Sequence, residues 1–174
     1  MCNRFIGLYR WVYIESSIKS IAHNLNIILN PIIVFHTTES VSFKINTLAQ
    51  KYEKLITFSN ITYEEVIQTT KNSDVLLLLH KKLDNGDVSP NKIYENLLCG
   101  NVIIIRSFLN FANELETTNA GKGFRIDEND KIIEYILDLY NNKDKLNQVK
   151  KNSLELGKKY NWEANEIIYK EIYL

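Results

Sequence analysis

Apolar residues follow two distinct patterns along this chain. In some places they form short unbroken runs, and in others they recur every three or four positions among polar residues. Unbroken runs are typical of strands that are covered on both faces, whereas the wider spacing is typical of amphipathic helices. Unbroken runs predict strands at residues 32–35, 75–79 and 102–105, and shorter segments of mixed character predict further strands at residues 4–9, 55–58 and 124–126.

Start and stop signals mark the helices between those strands. Thr62 stands three residues before Glu65, which is the capping-box spacing. Ser89 suits an N-cap, Pro90 suits a first helical position, and Gly100 suits the left-handed residue that closes a helix. Spacing and signals together predict helices at residues 11–29, 43–52, 62–72, 90–100, 112–116, 128–140, 143–159 and 162–173.

Strands and helices therefore alternate, which is the pattern of a parallel sheet with helices on both faces. The chain has 174 residues, 45% of them hydrophobic, and this is the length and composition of one globular domain. We predict a three-layer α/β/α sandwich with a parallel Rossmann-like sheet. The prediction treats residues 1–174 as a single domain, with C-terminal helices at about residues 143–174.

The net charge and the number of cysteines limit which binding partners and which cellular compartment we expect for this protein. The 21 basic and 21 acidic residues leave a net charge of zero, which gives no support to a nucleic-acid partner. Cys2 and Cys99 are too few for a disulfide framework, and we expect neither a metal nor a cofactor. No signal peptide is visible, and no apolar run approaches the roughly 20 residues that span a bilayer. We predict a reduced, soluble, cytoplasmic protein and leave open a peripheral membrane contact through a partner.

Ligands of parallel sheets bind at the carboxyl ends of the strands. Arg10, His36, Asn60 and His80 all follow or end predicted strands. Arg10 suits a phosphate and the histidines suit ligand contact, although the pattern favours a solvated loop residue at each position. The sequence lacks G-x-G-x-x-G, the P-loop pattern and G-x-S-x-G. These absences disfavour a dinucleotide oxidoreductase, a P-loop nucleotidase and a serine hydrolase elbow.

The helix predicted at residues 90–100 carries the densest set of candidate groups. Lys92 and Glu95 stand three positions apart, so they share one helix face near its N-terminus, where anions are favoured. Asp87 precedes the helix, and its carboxylate and that of Glu95 could accept hydrogen bonds from the hydroxyls of a sugar or ribose. The alternative is that Asp87 is a solvated loop acid and that Glu95 caps the helix or pairs with Lys92.

Several segments, taken in order, carry a family resemblance. Residues 89–103 (SPNKIYENLLCGNVI) are similar to the family pattern "sP.K..E.la.G.pvi", and residues 74–78 (DVLLL) are similar to its "aDvll" strand. Residues 5–7 (FIG) and 161–162 (NW) resemble its opening strand and the element that begins its last helix. The series resembles the carboxy-terminal, donor-binding half of GT-B-fold glycosyltransferases, close to the family-4-like nucleotide-sugar transferases.

The resemblance implies a role for each candidate residue. Glu95 would hold the ribose hydroxyls of a nucleotide-diphosphate sugar of the UDP or GDP type. Arg10 and Lys92 would stabilise the leaving diphosphate, and Asn60 would lie beside the base. No general base is implied in this chain. With His80, which is selected by its position after a predicted strand, the full predicted binding set is Arg10, Asn60, His80, Asp87, Ser89, Pro90, Lys92 and Glu95.

The implied reaction is transfer of a sugar from the nucleotide to an acceptor. Enzymes of this kind place the acceptor site in an amino-terminal domain of similar size, so we expect a separate domain or subunit to supply it. The alternative is a non-catalytic module, derived from a glycosyltransferase, that binds a nucleotide or a partner protein. A response-regulator-like or flavodoxin-like domain is disfavoured because no acidic cluster follows the first predicted strand.

Overall fold

A computed structural model describes residues 5–9, 32–37, 55–59, 62–79, 91–163 and 165–166, and the elements are numbered within these ranges. Its sheet has six strands in the order β3-β2-β1-β4-β5-β6, and every neighbouring pair is parallel. The strands are β1 (Phe5–Tyr9), β2 (Ile32–Thr37), β3 (Leu55–Ser59), β4 (Ser73–Leu78), β5 (Val102–Arg106) and β6 (Gly121–Phe124).

Helices follow most of the described strands. They are α1 (Tyr63–Lys71), α2 (Lys92–Leu98), α3 (Phe111–Thr117), α4 (Asn129–Asn141) and α5 (Lys143–Lys158). The helices predicted at residues 11–29 and 43–52 lie outside the described residues. Of the helix predicted at 162–173, the four described residues, 162–163 and 165–166, are helical. Within the described chain, no helix is both long and apolar enough to cross a membrane.

The predicted three-layer sandwich is confirmed by burial on both faces of the central strands. Leu76 and Ile103 face a core that includes Ile93 and Leu97 of α2. The alternate residues of the same strands, such as Leu77 and Ile104, are equally buried, at 1% and 0% exposure. Side chains of successive strand residues point to opposite faces, so both faces of the sheet are covered. Unbroken apolar runs are the sequence sign of that arrangement.

Two predicted helix ends are formed as the sequence indicated. The Thr62 side chain accepts from the Glu65 amide and the Glu65 carboxylate accepts from the Thr62 amide, which completes the capping box of α1. Gly100 has a φ of +70° after α2. Its amide donates to the Leu97 carbonyl at 2.9 Å, and the Asn101 amide donates to the Asn96 carbonyl at 3.0 Å, which is the Schellman pattern.

The prediction for the last strand was wrong. The strand predicted at residues 124–126 is β6, Gly121–Phe124, and Ile126 is 52% exposed. Gly121 lies so close to β5 that a Cβ placed there would be 2.0 Å from the Ile103 carbonyl oxygen. A glycine pair therefore belongs to the strand, whereas the sequence pattern placed the strand at the β-branched residue beyond it. The start of α2 also differs, because its first helical residue is Lys92 and Asn91 is the N-cap.

Helix α5 ties the amino ends of three strands together. Lys150 Nζ lies 2.8 Å from Asp74 Oδ1 at the start of β4. The Ser153 hydroxyl donates to the Asn101 carbonyl before β5, and Asn152 Nδ2 donates to the Asn119 carbonyl before β6 at 3.2 Å. These contacts fix the amino edge of the sheet, which is the side where the strands begin. A ligand site is expected at the carboxyl edge, where the strands end.

Candidate functional site

The order of the strands defines where a ligand would bind. From β1 the chain proceeds outward to β2 and β3 on one side, and from β4 to β5 and β6 on the other. The switch between the two directions lies between β1 and β4, and ligands of doubly wound sheets bind at the carboxyl ends of the strands at such a switch. Helix α2 leads from the carboxyl end of β4 back to the amino end of β5, so it begins at that edge.

The structure describes two of the predicted site residues, Lys92 and Glu95, and both lie in the first turns of α2. The positions predicted to join them stay predictions, because they lie outside the described residues: Arg10, Asn60, His80, Asp87, Ser89 and Pro90. His36, the other histidine considered at a strand end, is within β2 rather than in the turn after it.

Lys92 and Glu95 form an ion pair on one face of α2. Lys92 Nζ lies 3.1 Å from Glu95 Oε2, and the two side chains are 37% and 25% exposed. A pair this accessible is screened by water and contributes about 0–1 kcal/mol to stability. The arrangement therefore does little for the fold, but it places a cation and a carboxylate side by side where a polar ligand can reach them.

A buried amide network holds the helix beneath that pair. Asn96 Nδ2 donates to the Lys92 carbonyl at 2.9 Å, and Asn96 Oδ1 accepts from Asn101 Nδ2 at 2.8 Å. Asn101 Nδ2 also donates to the Thr70 carbonyl at the end of α1 at 2.9 Å. Asn96 and Asn101 are both 0% exposed. Low-dielectric surroundings strengthen these bonds, so the backbone that carries Lys92 is fixed to α1 and to β5.

Arg106 is a buried cation at the carboxyl end of β5 that the sequence analysis missed. Its side chain donates from Nη1 to the Arg125 carbonyl at 2.7 Å and from Nη2 to Asn129 Oδ1 at 3.2 Å. Burial lowers the pKa of Arg106, and the nearby Asp127 carboxylate opposes that shift. The signal was a charged residue that directly follows the apolar run at 102–105. The guanidinium braces the turn between β6 and α4.

An aromatic cluster adjoins the first turns of α2 and α3. The Tyr94 ring centroid lies 5.7 Å from that of Phe111 and 5.3 Å from that of Tyr160. The Tyr160 hydroxyl donates to the Glu114 carboxylate. Burial first, and then this hydrogen bond, raise the pKa of Tyr160. The cluster joins the helices that flank β5 and supports the face of α2 beside Glu95.

The described residues offer no set of metal ligands. Among them, no group of three or more His, Cys, Asp or Glu side chains is arranged to hold an ion. Cys99 is a free, half-buried thiol at the end of α2, and burial raises its pKa. A raised pKa keeps a thiol protonated and unreactive at neutral pH, so Cys99 is a packing residue.

The strand order, the parallel pairing and the helix that leaves the switch point define a Rossmann-like, doubly wound α/β fold. Comparison with solved structures places this fold within a narrower class. The C-terminal domain of a glycosyl transferase group 1 family protein (LpcC) from Francisella tularensis matches 88% of this chain and 83% of its own, with a TM-score of 0.69 and 13% identity. The protein therefore has the fold of the Rossmann-like C-terminal half of a GT-B glycosyltransferase, as the sequence predicted.

Longer proteins share the fold over part of their length. Sucrose-phosphate synthase from Thermosynechococcus elongatus matches 99% of this chain at a TM-score of 0.77 and 15% identity. A protein from Listeria monocytogenes assigned as a UDP-N-acetylglucosamine 2-epimerase matches 86% at a TM-score of 0.64 and 14% identity. The chain spans 45% and 39% of these two proteins, respectively. No family model and no curated protein matches the sequence. At these identities the likeness shows the fold and not the reaction.

Proposed function

We propose that the protein is the donor-binding part of a glycosyltransferase. In this proposal it binds a nucleotide-diphosphate sugar of the UDP or GDP type in the cytoplasm, and the sugar passes to an acceptor held by another domain or subunit. The observation that carries the proposal is the position of the Lys92–Glu95 pair. It lies in the first turns of the helix that connects β4 to β5, and β4 is one of the two strands that flank the switch point.

The chemistry of the pair fits the two polar parts of such a ligand. A carboxylate accepts hydrogen bonds from vicinal hydroxyls, and a lysine is a compact positive charge for a phosphate. Only Glu95 Oε2 is bound to Lys92, and Glu95 Oε1 accepts no hydrogen bond from the residues that the structure describes. Glu95 can thus receive a ribose hydroxyl while Lys92 turns toward a diphosphate.

Catalysis in this proposal is electrostatic. Departure of a nucleoside diphosphate places negative charge on its terminal phosphate, and cations fixed beforehand stabilise that charge without reorganisation. Lys92 would supply one cation, with its backbone held by Asn96. Arg10 would supply the second, and Asp87, Ser89, Pro90, Asn60 and His80 would complete the binding set. Glu95 would position the donor rather than transfer a proton.

A second candidate is a module, derived from a glycosyltransferase, that binds a nucleotide or a partner protein without catalysis. The fold is compatible with it, because at 15% identity the likeness to sucrose-phosphate synthase shows the fold and not the reaction. The two candidates differ in one observable, because only the first transfers sugar when an acceptor-binding partner is added.

Titration of the chain with UDP, GDP and ADP tests the shared binding step. We expect calorimetry to detect UDP or GDP, and Glu95→Ala to weaken that binding about ten- to a hundredfold, since a hydrogen bond to a charged group is worth about 1.5–3 kcal/mol. Glu134→Ala is the matched control, because Glu134 is an exposed acid on α4 and lies outside the proposed binding set.

Comparing the two variants distinguishes the loss of a specific contact at the site from the loss of any one negative charge on the surface. Equal affinity of the wild-type chain and Glu95→Ala, or equal losses in the two variants, would remove Glu95 from the site. A wild-type chain that binds none of the three nucleotides at millimolar concentration would overturn the proposed function and leave the fold intact.

A further inference from the structure

The face of α2 that carries the Lys92–Glu95 pair is turned toward α1. Lys92, Glu95 and the C-cap residue Cys99 are three and four positions apart, so they form one stripe along the helix. Burial raises the pKa of the Cys99 thiol, the Lys71 ammonium in the last turn of α1 lowers it, and the Glu95 carboxylate raises it. Because charges from both helices act on this thiol, α1 lies on the side of α2 to which the stripe belongs.

The opposite side of α2 is closed by aromatic rings. The Tyr94 ring packs there against Phe111 and Tyr160, with ring centroids 5.7 and 5.3 Å away. The rings of Phe111 and Tyr160 are themselves 5.5 Å apart, so the three side chains fill the space beside α2 and α3. A ligand group that extends sideways from Glu95 therefore has room on the α1 side of the helix and none on this side.

A stripe on α1 borders the same space. Tyr63, Val66 and Thr70 are three and four positions apart, so they too share one helix face. Val66 packs against the core cluster that includes Ile93 of α2, and the Thr70 carbonyl accepts from Asn101 Nδ2 at 2.9 Å. The stripe is therefore turned toward the sheet and α2, and Tyr63 is its end at the carboxyl edge.

Tyr63 differs from the other two members of its stripe because it is open to solvent. It is the first residue of α1, and it is 62% exposed. Within the part of the chain that the structure describes, its ring contacts no aromatic ring and its hydroxyl makes no hydrogen bond. Side chains of a helix tilt toward its N-terminus, so the ring extends beyond α1 at the edge where α2 carries the ion pair.

We propose that Tyr63 is the ring on which the base of the bound nucleotide stacks, an inference that rests on the proposed function. The base is attached to the same ribose that Glu95 would hold, so it lies beside Glu95. The aromatic cluster closes one side of α2, and Tyr63 offers a ring on the other. Stacking tolerates any base, because every base has a π-face, so Tyr63 supports the binding of UDP and of GDP alike.

Titration of the full chain with UDP and with GDP tests the role of the ring. Tyr63→Ala should weaken the binding of whichever nucleotide the wild type binds by about ten- to a hundredfold, the usual effect of removing one stacked ring. Tyr63→Phe keeps the ring and should bind as the wild type does. Tyr140→Ala is the matched control, because Tyr140 is a partly exposed tyrosine in the last turn of α4 and lies outside the proposed binding set.

The contact itself can be measured by NMR spectroscopy of the same complex. Stacking should give nuclear Overhauser contacts between the Tyr63 ring protons and protons of the base. Equal affinities of the wild type and Tyr63→Ala, or a loss in Tyr63→Phe as large as in Tyr63→Ala, would overturn the role of the ring and leave the proposed function standing. A wild-type chain that binds neither nucleotide would overturn both.

Discussion

The two edges of the sheet are built from different kinds of contact. At the amino edge, polar side chains bridge segments far apart in the sequence: Asn101 reaches Thr70 across 31 positions, Ser153 reaches Asn101 across 52, and Lys150 reaches Asp74 across 76. At the carboxyl edge, the described pair of Lys92 and Glu95 is local, three positions apart, and partly exposed. Contacts between distant segments constrain the fold, whereas a local exposed pair does not.

Because α2 spans from one edge to the other, its two ends have different roles. The C-terminal end of α2 is fixed by its Schellman motif and by Asn96 and Asn101, and it belongs to the structural edge. The N-terminal end carries Lys92 and Glu95 at the edge where ligands bind. Because the C-terminal end of α2 is fixed by hydrogen bonds, the N-terminal end can position its side chains for a ligand without contributing to the stability of the fold. Arg106 stands apart from this division, because it is buried at the carboxyl edge but braces a turn.

The largest effect should come from Asn101→Ala at the amino edge. The change removes two buried hydrogen bonds and leaves Asn96 Oδ1 and the Thr70 carbonyl without this donor. We expect a loss of about 2 kcal/mol in the free energy of unfolding. The loss is reduced because Asn101 Oδ1 is buried and has no hydrogen-bond partner among the described residues, so alanine also removes one unsatisfied group. Urea denaturation measures it.

Glu95→Ala provides the contrast in the same experiment. Among the described residues, the Glu95 carboxylate contacts Lys92 alone, and this ion pair is partly exposed, so the unfolding free energy should stay within about 1 kcal/mol of the wild type. If Glu95→Ala lowers the free energy of unfolding as much as Asn101→Ala does, the two edges contribute equally to stability and the contrast between them is wrong.

A smaller effect is expected from Lys150→Met. Methionine keeps an unbranched apolar stem and removes the ion pair with Asp74, whose two side chains are 30% and 23% exposed. The expected loss is about 0.5–1 kcal/mol, and it should shrink in concentrated salt, which screens accessible charges. Lys151→Met, at the exposed neighbouring position of α5, should change stability less. Equal effects of the two variants would show that the link from α5 to β4 adds nothing.

Local patterns predicted most of the fold, because local interactions form it. The runs at residues 75–79 and 102–105 predicted the central strands, since both faces of each are buried. The Thr62–Glu65 box and Gly100 predicted helix ends, since each acts within a few residues. The order of the elements then predicted a parallel sheet.

Features that depend on distant neighbours were not readable from local patterns. The pairing of the Gly121 segment with β5 depends on the Ile103 carbonyl, 18 positions earlier, and no β-branched residue marks it. The bridge from Asn101 to Thr70 and the burial of Arg106 likewise arise only when the strands are assembled. At the site, spacing alone predicted that Lys92 and Glu95 share a face, and the 3.1 Å pair confirms that prediction.

We propose above all that a nucleoside diphosphate binds beside Lys92 and Glu95 at the carboxyl edge. Titration of the isotopically labelled chain with UDP and with GDP, followed by amide NMR spectra, tests it most directly. The account predicts that for one of the two the amide signals of residues 92–95 shift in a saturable manner, while those of Asn101 and Asn119 at the amino edge stay unchanged. Saturable shifts confined to the amino edge, or none at residues 92–95 with either nucleotide, would contradict it.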